Sequence, residues 1–241
     1  MKRLLPVLMG FALLLLSSTE GEARAEELVY RTKPMKLSGE FCKPEGAGPF
    51  PAVVFNHGGL RNIIGGDPEG TCRALAEAGF VGFSPIRRKN PKMKNQIKDV
   101  MASVDTIKAL SVVQPDKIAL VGFSRGALLS LIVANRRPDF KALVIMGVAP
   151  GHGHLEREMD DLSGISAPVL LLVAENDTGS KSTQDNDTVA LTRSLEAAFK
   201  NANLEANLIV YPTYPGDGHQ LFSEIGTYWK DVIVFLKRHL I

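Results

Sequence analysis

The sequence has little of what marks several classes of protein. It contains two cysteines, and its 28 basic and 26 acidic side chains leave a net charge of only +2. A balance of this kind gives no reason to expect binding to nucleic acid or to an anionic membrane surface. The cysteines have no neighbouring histidines, so they do not resemble a zinc site, and we predict neither a metal nor a cofactor. No internal repeats or low-complexity tracts divide the chain.

A long hydrophobic run is also missing. The apolar stretch at residues 4–16 is interrupted by Pro6 and Gly10, and about 13 residues are too few to cross a hydrocarbon layer of about 30 Å. Basic residues precede this stretch and Ala23-Arg24-Ala25 follows it, which is the form of a secretory signal peptide. We therefore predict a signal peptide over residues 1–25, export to the periplasm or the medium, and no stable membrane association after cleavage. An uncleaved anchor is the alternative.

The two cysteines, Cys42 and Cys72, would meet an oxidising compartment in an exported protein. A disulfide between them is one hypothesis, and two separate buried thiols are the other. Residues 26–241 are numerous enough for one domain with a substantial core.

Strand and helix patterns alternate through this domain. Continuous apolar runs such as residues 52–55 are typical of strands buried on both faces. Residues 95–110 carry apolar side chains three and four apart, which indicates an amphipathic helix. Further strands are predicted at residues 28–31, 35–42, 80–83, 117–121, 142–146, 169–173 and 206–210, and further helices at 71–78, 125–135, 189–202 and 228–240. The alternation predicts an α/β fold with a mostly parallel sheet covered by helices on both faces.

One motif suggests chemistry at the carboxyl edge of this sheet. Gly122-Phe123-Ser124-Arg125-Gly126 has the form G-x-S-x-G, between a predicted strand and a predicted helix. Glycines two residues before and after the serine would prevent collisions at the sharp turn between the two elements. Ser124 is therefore the predicted nucleophile, and a structural serine is the alternative.

A serine hydroxyl needs a base to become nucleophilic. His219 lies in the loop between the last strand and the last helix and is the predicted base, with a helix cap as the alternative. The other four histidines fit the role less well. His57 is expected to shape the loop after a strand, His152 and His154 precede the expected acid, and His239 lies in the last helix.

The base in turn needs an acidic partner that fixes its tautomer. Asp177 follows the strand at residues 169–173 by a few positions and is the predicted acid. Glu175, Asp185 and Asp187 are the alternatives.

The order serine, acid, histidine is that of the α/β-hydrolases. The stretches PAVVFNHGG (51–59), LVGFSRG (120–126), PVLLLVAEND (168–177) and GHQLF (218–222) resemble the dienelactone hydrolase group of that superfamily. The resemblance implies an α/β-hydrolase fold over residues 26–241. It also implies an oxyanion hole formed by the backbone N–H groups of Arg125 and Gly59. Dienelactone hydrolases themselves use a cysteine nucleophile, whereas this chain has Ser124.

These features together predict a serine hydrolase that cleaves small-molecule carboxylic esters through an acyl-enzyme. A peptidase of the oligopeptidase type and a non-catalytic binding protein on a hydrolase scaffold are the alternatives. Residues 147–168 leave too little chain for a large cap domain. The basic residues at 87–89, with Lys92, Lys94 and Lys98, either attract an anionic substrate or form a solvated approach to a helix.

Overall fold

The computed structural model describes residues 24–31 and 33–241, so most of the predicted signal peptide lies outside the described residues. The strands are β1 (Glu26–Arg31), β2 (Leu37–Cys42), β3 (Phe50–Asn56), β4 (Val81–Pro85), β5 (Val113–Phe123), β6 (Ala142–Met146), β7 (Val169–Ala174) and β8 (Ala206–Tyr211). The helices are α1 (Pro68–Glu77), α2 (Met93–Lys108), α3 (Arg125–Arg136), α4 (His154–Met159), α5 (Thr188–Asn201) and α6 (Trp229–Leu240), with a 3₁₀ helix at Gly218–Phe222.

The strands form one eight-stranded sheet in the order β1-β2-β4-β3-β5-β6-β7-β8. β2 pairs antiparallel with both β1 and β4, and the pairings from β4 through β8 are parallel. The predicted α/β fold is therefore confirmed. The carboxyl ends of the parallel strands meet at one edge, where ligands bind in open α/β sheets.

Alternating residues along the strands supply the two hydrophobic cores. In β3, Ala52 and Val54 pack on one face with α2, α3 and α5, whereas Val53 and Phe55 pack on the other face with α1 and α6. This double coverage explains why the central strands read as unbroken apolar runs.

Two element boundaries differ from the predictions by three residues or more. β5 begins at Val113 rather than at residue 117, because Pro115 and Asp116 are exposed and interrupt the apolar pattern without ending the strand. α1 begins at Pro68, three residues before the predicted start. The Asp67 side chain caps this helix by accepting a hydrogen bond of 2.9 Å from the backbone N–H of Gly70.

The connection between β6 and β7 bears on the approach to the site. Between β6 and β7 the chain forms only the six-residue helix α4, so no large cap covers the sheet edge.

Cys42 of β2 forms a disulfide with Cys72 of α1, with their Cα atoms 5.5 Å apart, as the first hypothesis predicted. Among the described residues, no helix has the length and apolar character needed to cross a membrane.

Candidate active site

Ser124 lies at the turn where β5 ends and α3 begins. Its backbone has φ 53° and ψ −116°, a combination that a residue with a side chain rarely adopts. Strain of this kind costs about 1–3 kcal/mol and is found mainly at functional sites. The turn is fixed on both sides, because the Ser124 N–H donates to the Met146 carbonyl and the Ser124 carbonyl accepts from the N–H groups of Leu128 and Ala149.

The two glycines of the motif are required by close contacts. A Cβ atom on Gly126 would lie 1.8 Å from the carbonyl oxygen of Asn56, and one on Gly122 would lie 2.5 Å from the carbonyl oxygen of Gly126. Both contacts are with backbone, which cannot move aside cheaply. The G-x-S-x-G spacing is therefore a packing requirement of this turn.

The structure brings Asp177 and His219 into direct contact at the same edge of the sheet. Asp177 Oδ2 lies 2.7 Å from His219 Nδ1, and both side chains are almost fully buried. Since a carboxylate only accepts hydrogen bonds, Nδ1 carries the proton and Nε2 is left as the basic nitrogen.

The ring of His219 also packs against the turn at Ser124. Its centroid is 4.8 Å from that of Phe123, the residue before Ser124. Among the described residues the Ser124 hydroxyl forms no hydrogen bond with His219; catalytic hydrogen bonds of this kind often tighten only when a substrate is bound.

Both loops that carry the pair are held by hydrogen bonds. The carbonyl of Asp177 accepts from the Thr188 hydroxyl at 2.9 Å and from the first N–H groups of α5. Asp217 caps the 3₁₀ helix by accepting from the N–H of His219 at 3.0 Å, and its other oxygen accepts from the hydroxyls of Ser180 and Ser182. These bonds fix the spacing between acid and base.

The alternative acids have other partners. Glu175 is turned away and accepts from the backbone N–H and hydroxyl of Thr213. Asp187 caps α5 by accepting from the N–H of Ala190, and Asp185 is exposed. Of the four candidate acids, only Asp177 contacts His219 in the structure.

The loop at residues 57–66, which contains the predicted oxyanion donor Gly59 and is called the oxyanion loop below, lies next to the turn at Ser124. Gly58 and Gly65 form an isolated antiparallel bridge, with N–H to O distances of 2.8 and 3.2 Å. A Cβ on Gly58 would lie 3.2 Å from the Cβ of Ser124, so the loop passes directly beside the nucleophile. Gly59 has φ +77°, where a side chain would be strained and would collide with the Ile63 carbonyl.

Both predicted oxyanion donors are available as hydrogen-bond donors. In the described part of the chain, neither the N–H of Gly59 nor that of Arg125 donates to another group of the protein. For Arg125 this follows from its place as the first residue of α3, where the N–H has no intrahelical acceptor. The side chain of Arg125 points elsewhere, toward Gln96 and the Pro91 carbonyl.

The remaining histidines are not brought to the Asp177–His219 pair. His57 is buried in the oxyanion loop, where its Nδ1 lies 2.6 Å from the Gly58 carbonyl oxygen. His152 is exposed, His154 begins α4, and His239 packs against Phe235.

The basic stretch fits neither prediction as a whole. Arg87 is fully buried next to His57, and Arg88 pairs with the buried carboxylate of Asp99. Burial, with the nearby charge of Arg125, lowers the pKa of Arg87 to about 9. Lys92, like Lys94 and Lys98, is solvated. The first two basic residues are therefore held by the protein itself, Arg87 beside His57 and Arg88 by Asp99 of α2.

Sequence reasoning missed the residues that support the acid and the base. Asp217 stands two positions before His219, which is the signal of a cap on a short helix. Gly218 allows the two loops to meet, since a Cβ there would lie 2.5 Å from the backbone nitrogen of Asp177.

No group of three or more His, Cys, Asp or Glu side chains suited to a metal ion occurs in residues 24–31 and 33–241.

An eight-stranded sheet with a strained serine at the carboxyl end of β5 and a buried Asp–His pair beside it defines an α/β-hydrolase fold. The sequence model of the dienelactone hydrolase family matches residues 37–225. The chain belongs to this family.

Individual relatives are more distant. Protein usf of Aquifex pyrophilus is 27% identical over 161 residues, which cover 59% of this chain and 68% of that protein. The dienelactone hydrolase of Anabaena variabilis superposes with a TM-score of 0.69 at 18% identity, covering 92% of this chain and 100% of the other. Dipeptidyl peptidase 4 of Porphyromonas gingivalis superposes with a TM-score of 0.72 at 17% identity; 91% of this chain matches, but it spans only 36% of the peptidase. At these identities, the solved structures support the fold.

Proposed function

We propose that this protein is an exported serine hydrolase that cleaves small carboxylic esters through an acyl-enzyme intermediate. The observation that carries the proposal is the buried hydrogen bond of 2.7 Å between Asp177 and His219, at the sheet edge where Ser124 occupies a strained turn. Membership of the dienelactone hydrolase family supports hydrolytic chemistry.

Each residue has a distinct role in the proposed reaction. His219 Nε2 takes the proton of the Ser124 hydroxyl as its oxygen attacks the ester carbonyl. Asp177 holds the imidazole in the required tautomer and stabilises the imidazolium that forms. The N–H groups of Arg125 and Gly59 bind the developing oxyanion. His219 then protonates the departing alcohol, and a water molecule activated by the same histidine releases the acid.

Substrate size is proposed from the lack of a cap. The chain between β6 and β7 contributes only α4, so little apolar wall is available to a long acyl chain. The proposal of export combines the signal-like residues 1–25 with the disulfide between Cys42 and Cys72, since such bonds persist in oxidising compartments.

A peptidase is the second candidate. It is favoured by the similarity to dipeptidyl peptidase 4, although this chain matches only 36% of that protein. Both candidates use the same three residues, so only a choice of substrates separates them.

The test is a panel of p-nitrophenyl esters and of peptide p-nitroanilides, assayed with the purified protein and with Ser124→Ala. We expect turnover of short-chain esters, a kcat/KM for anilides at least about 10³-fold lower, and no turnover by the variant. Faster cleavage of anilides would favour the peptidase. Ester turnover that persists in Ser124→Ala would contradict the proposal.

A further inference from the structure

The buried histidine of the oxyanion loop has hydrogen-bond partners on both ring nitrogens. His57 Nδ1 lies 2.6 Å from the Gly58 carbonyl oxygen, and the backbone N–H of Arg87 donates to His57 Nε2 over 3.4 Å. Only 5% of the residue is exposed. The proposed reaction does not use this side chain, so its position requires another explanation.

These contacts determine the tautomer of His57. The shorter contact at Nδ1 decides: a carbonyl oxygen only accepts, so at 2.6 Å Nδ1 must carry a proton, and the Nη2 group of Arg87, a donor 3.4 Å away, then forms no hydrogen bond with it. A backbone N–H only donates, so Nε2 must be unprotonated. The ring is therefore neutral with its proton on Nδ1. Burial lowers the pKa of His57 well below its usual value, and the charge of Arg87, whose Nη2 lies 3.4 Å from Nδ1, acts in the same direction.

The same hydrogen bond sets the direction of the next peptide group. The Gly58 carbonyl is held by His57 Nδ1 and, at 3.2 Å, by the N–H of Gly65. The peptide between Gly58 and Gly59 is trans, so its N–H points away from its carbonyl. The Gly59 N–H is thus directed away from the donors that hold the carbonyl, and within the described residues it has no acceptor.

We infer that His57 is a positioning residue for the oxyanion hole, acting through the Gly58 carbonyl to aim the N–H of Gly59 at the substrate oxygen. This inference rests on the proposed function and names a residue that does not itself touch the substrate. Without the Nδ1 donor, only Gly65 would hold the carbonyl, and the peptide could rotate. Because the oxyanion forms in the tetrahedral intermediate and its transition states but not in the bound substrate, the loss should fall on kcat rather than on KM.

Two substitutions of similar volume separate positioning from packing. In His57→Asn the side-chain amide places an N–H near the position of Nδ1, whereas in His57→Gln the amide reaches the position of Nε2. We expect His57→Gln to lower kcat on a short-chain ester by about 30-fold, with KM changed less than threefold, since losing one oxyanion donor typically costs about 10²–10³-fold. His57→Asn should stay within about fivefold of the unmodified protein. Melting curves of each variant identify a temperature at which all are folded, and kcat is compared there.

The kinetics of the two variants and of the unmodified protein separate the inference about His57 from the proposed function. Equal kcat in His57→Gln and the unmodified protein, or equal loss in both variants, would overturn the inference while leaving the proposed function intact. Absence of Ser124-dependent ester turnover in the unmodified protein would instead overturn the proposed function, and the positioning role of His57 with it. An independent readout does not need activity: ¹⁵N–¹H correlation spectra of the histidine rings at neutral pH should show His57 neutral and protonated at Nδ1. A proton on Nε2 would contradict the geometry.

Discussion

The two sides of Ser124 are built in different ways. On the acid–base side, Asp177 and His219 are positioned largely by side chains, including the cap from Asp217 and the hydroxyl of Thr188. On the side of the proposed oxyanion hole, the loop at residues 57–66 is shaped mainly by backbone hydrogen bonds between Gly58 and Gly65, with His57 as the side chain that we infer to position it. A side-chain network requires particular residue types, whereas a backbone bridge requires a particular conformation. The acid–base side should therefore be more sensitive to conservative substitutions.

The largest effect is expected when the nucleophile and the base are removed. Ser124→Ala and His219→Ala should each lower kcat by about 10⁵-fold or more, because neither residue acts without the other. The double variant should be little slower than either single variant. Steady-state kinetics on one ester checks this, and additive losses would mean that the two residues do not work as a unit.

The next largest effect should come from the acid. Asp177→Asn should lower kcat by about 10⁴-fold, since the amide no longer stabilises the tautomer and imidazolium that His219 needs. Asp185→Asn is the matched control, because Asp185 is exposed on the same loop, and its kcat should change less than twofold. The reverse ranking would assign the acid elsewhere.

A third prediction concerns the support of the oxyanion side. The disulfide between Cys42 and Cys72 spans 30 residues of sequence and anchors α1, which follows the oxyanion loop. Replacing both cysteines by serine should lower the free energy of unfolding by about 3 kcal/mol. The kcat of the folded variant should change less than threefold, because Cys42 pairs with Gly82 at the amino end of β4, the end opposite the carboxyl edge of the sheet. Urea unfolding and ester kinetics on the same sample test both parts; an unchanged unfolding midpoint contradicts the first.

The smallest effect should appear along a substrate series. Each methylene added to the acyl chain should contribute less than the ~0.8 kcal/mol of full burial, because no large cap encloses the site. Values of kcat/KM for p-nitrophenyl esters from acetate to palmitate test this, measured below and above each solubility limit. A maximum at long chains, or a jump when micelles form, would indicate a lipid-binding groove.

The same contrast explains how much could be predicted from the sequence. The positions of Ser124, Asp177 and His219 at one edge of the sheet could be predicted, because each residue follows a strand that the apolar pattern indicates. Their catalytic roles stay predictions. The orientation of the Gly58–Gly59 peptide could not be predicted, since it depends on a bridge to Gly65 and on a histidine whose partner is the neighbouring carbonyl. The burial of Arg87 could not be predicted, because a buried arginine and a solvated one look alike in a basic run.

The most direct measurement of the central claim is covalent labelling with a fluorophosphonate, followed by peptide mass spectrometry. The probe reacts only with a serine that is activated by a base and faces an oxyanion hole. The account predicts one modified peptide, labelled at Ser124, with no labelling in Ser124→Ala and much slower labelling in His219→Ala. Labelling at another serine, or at an unchanged rate in His219→Ala, would contradict it.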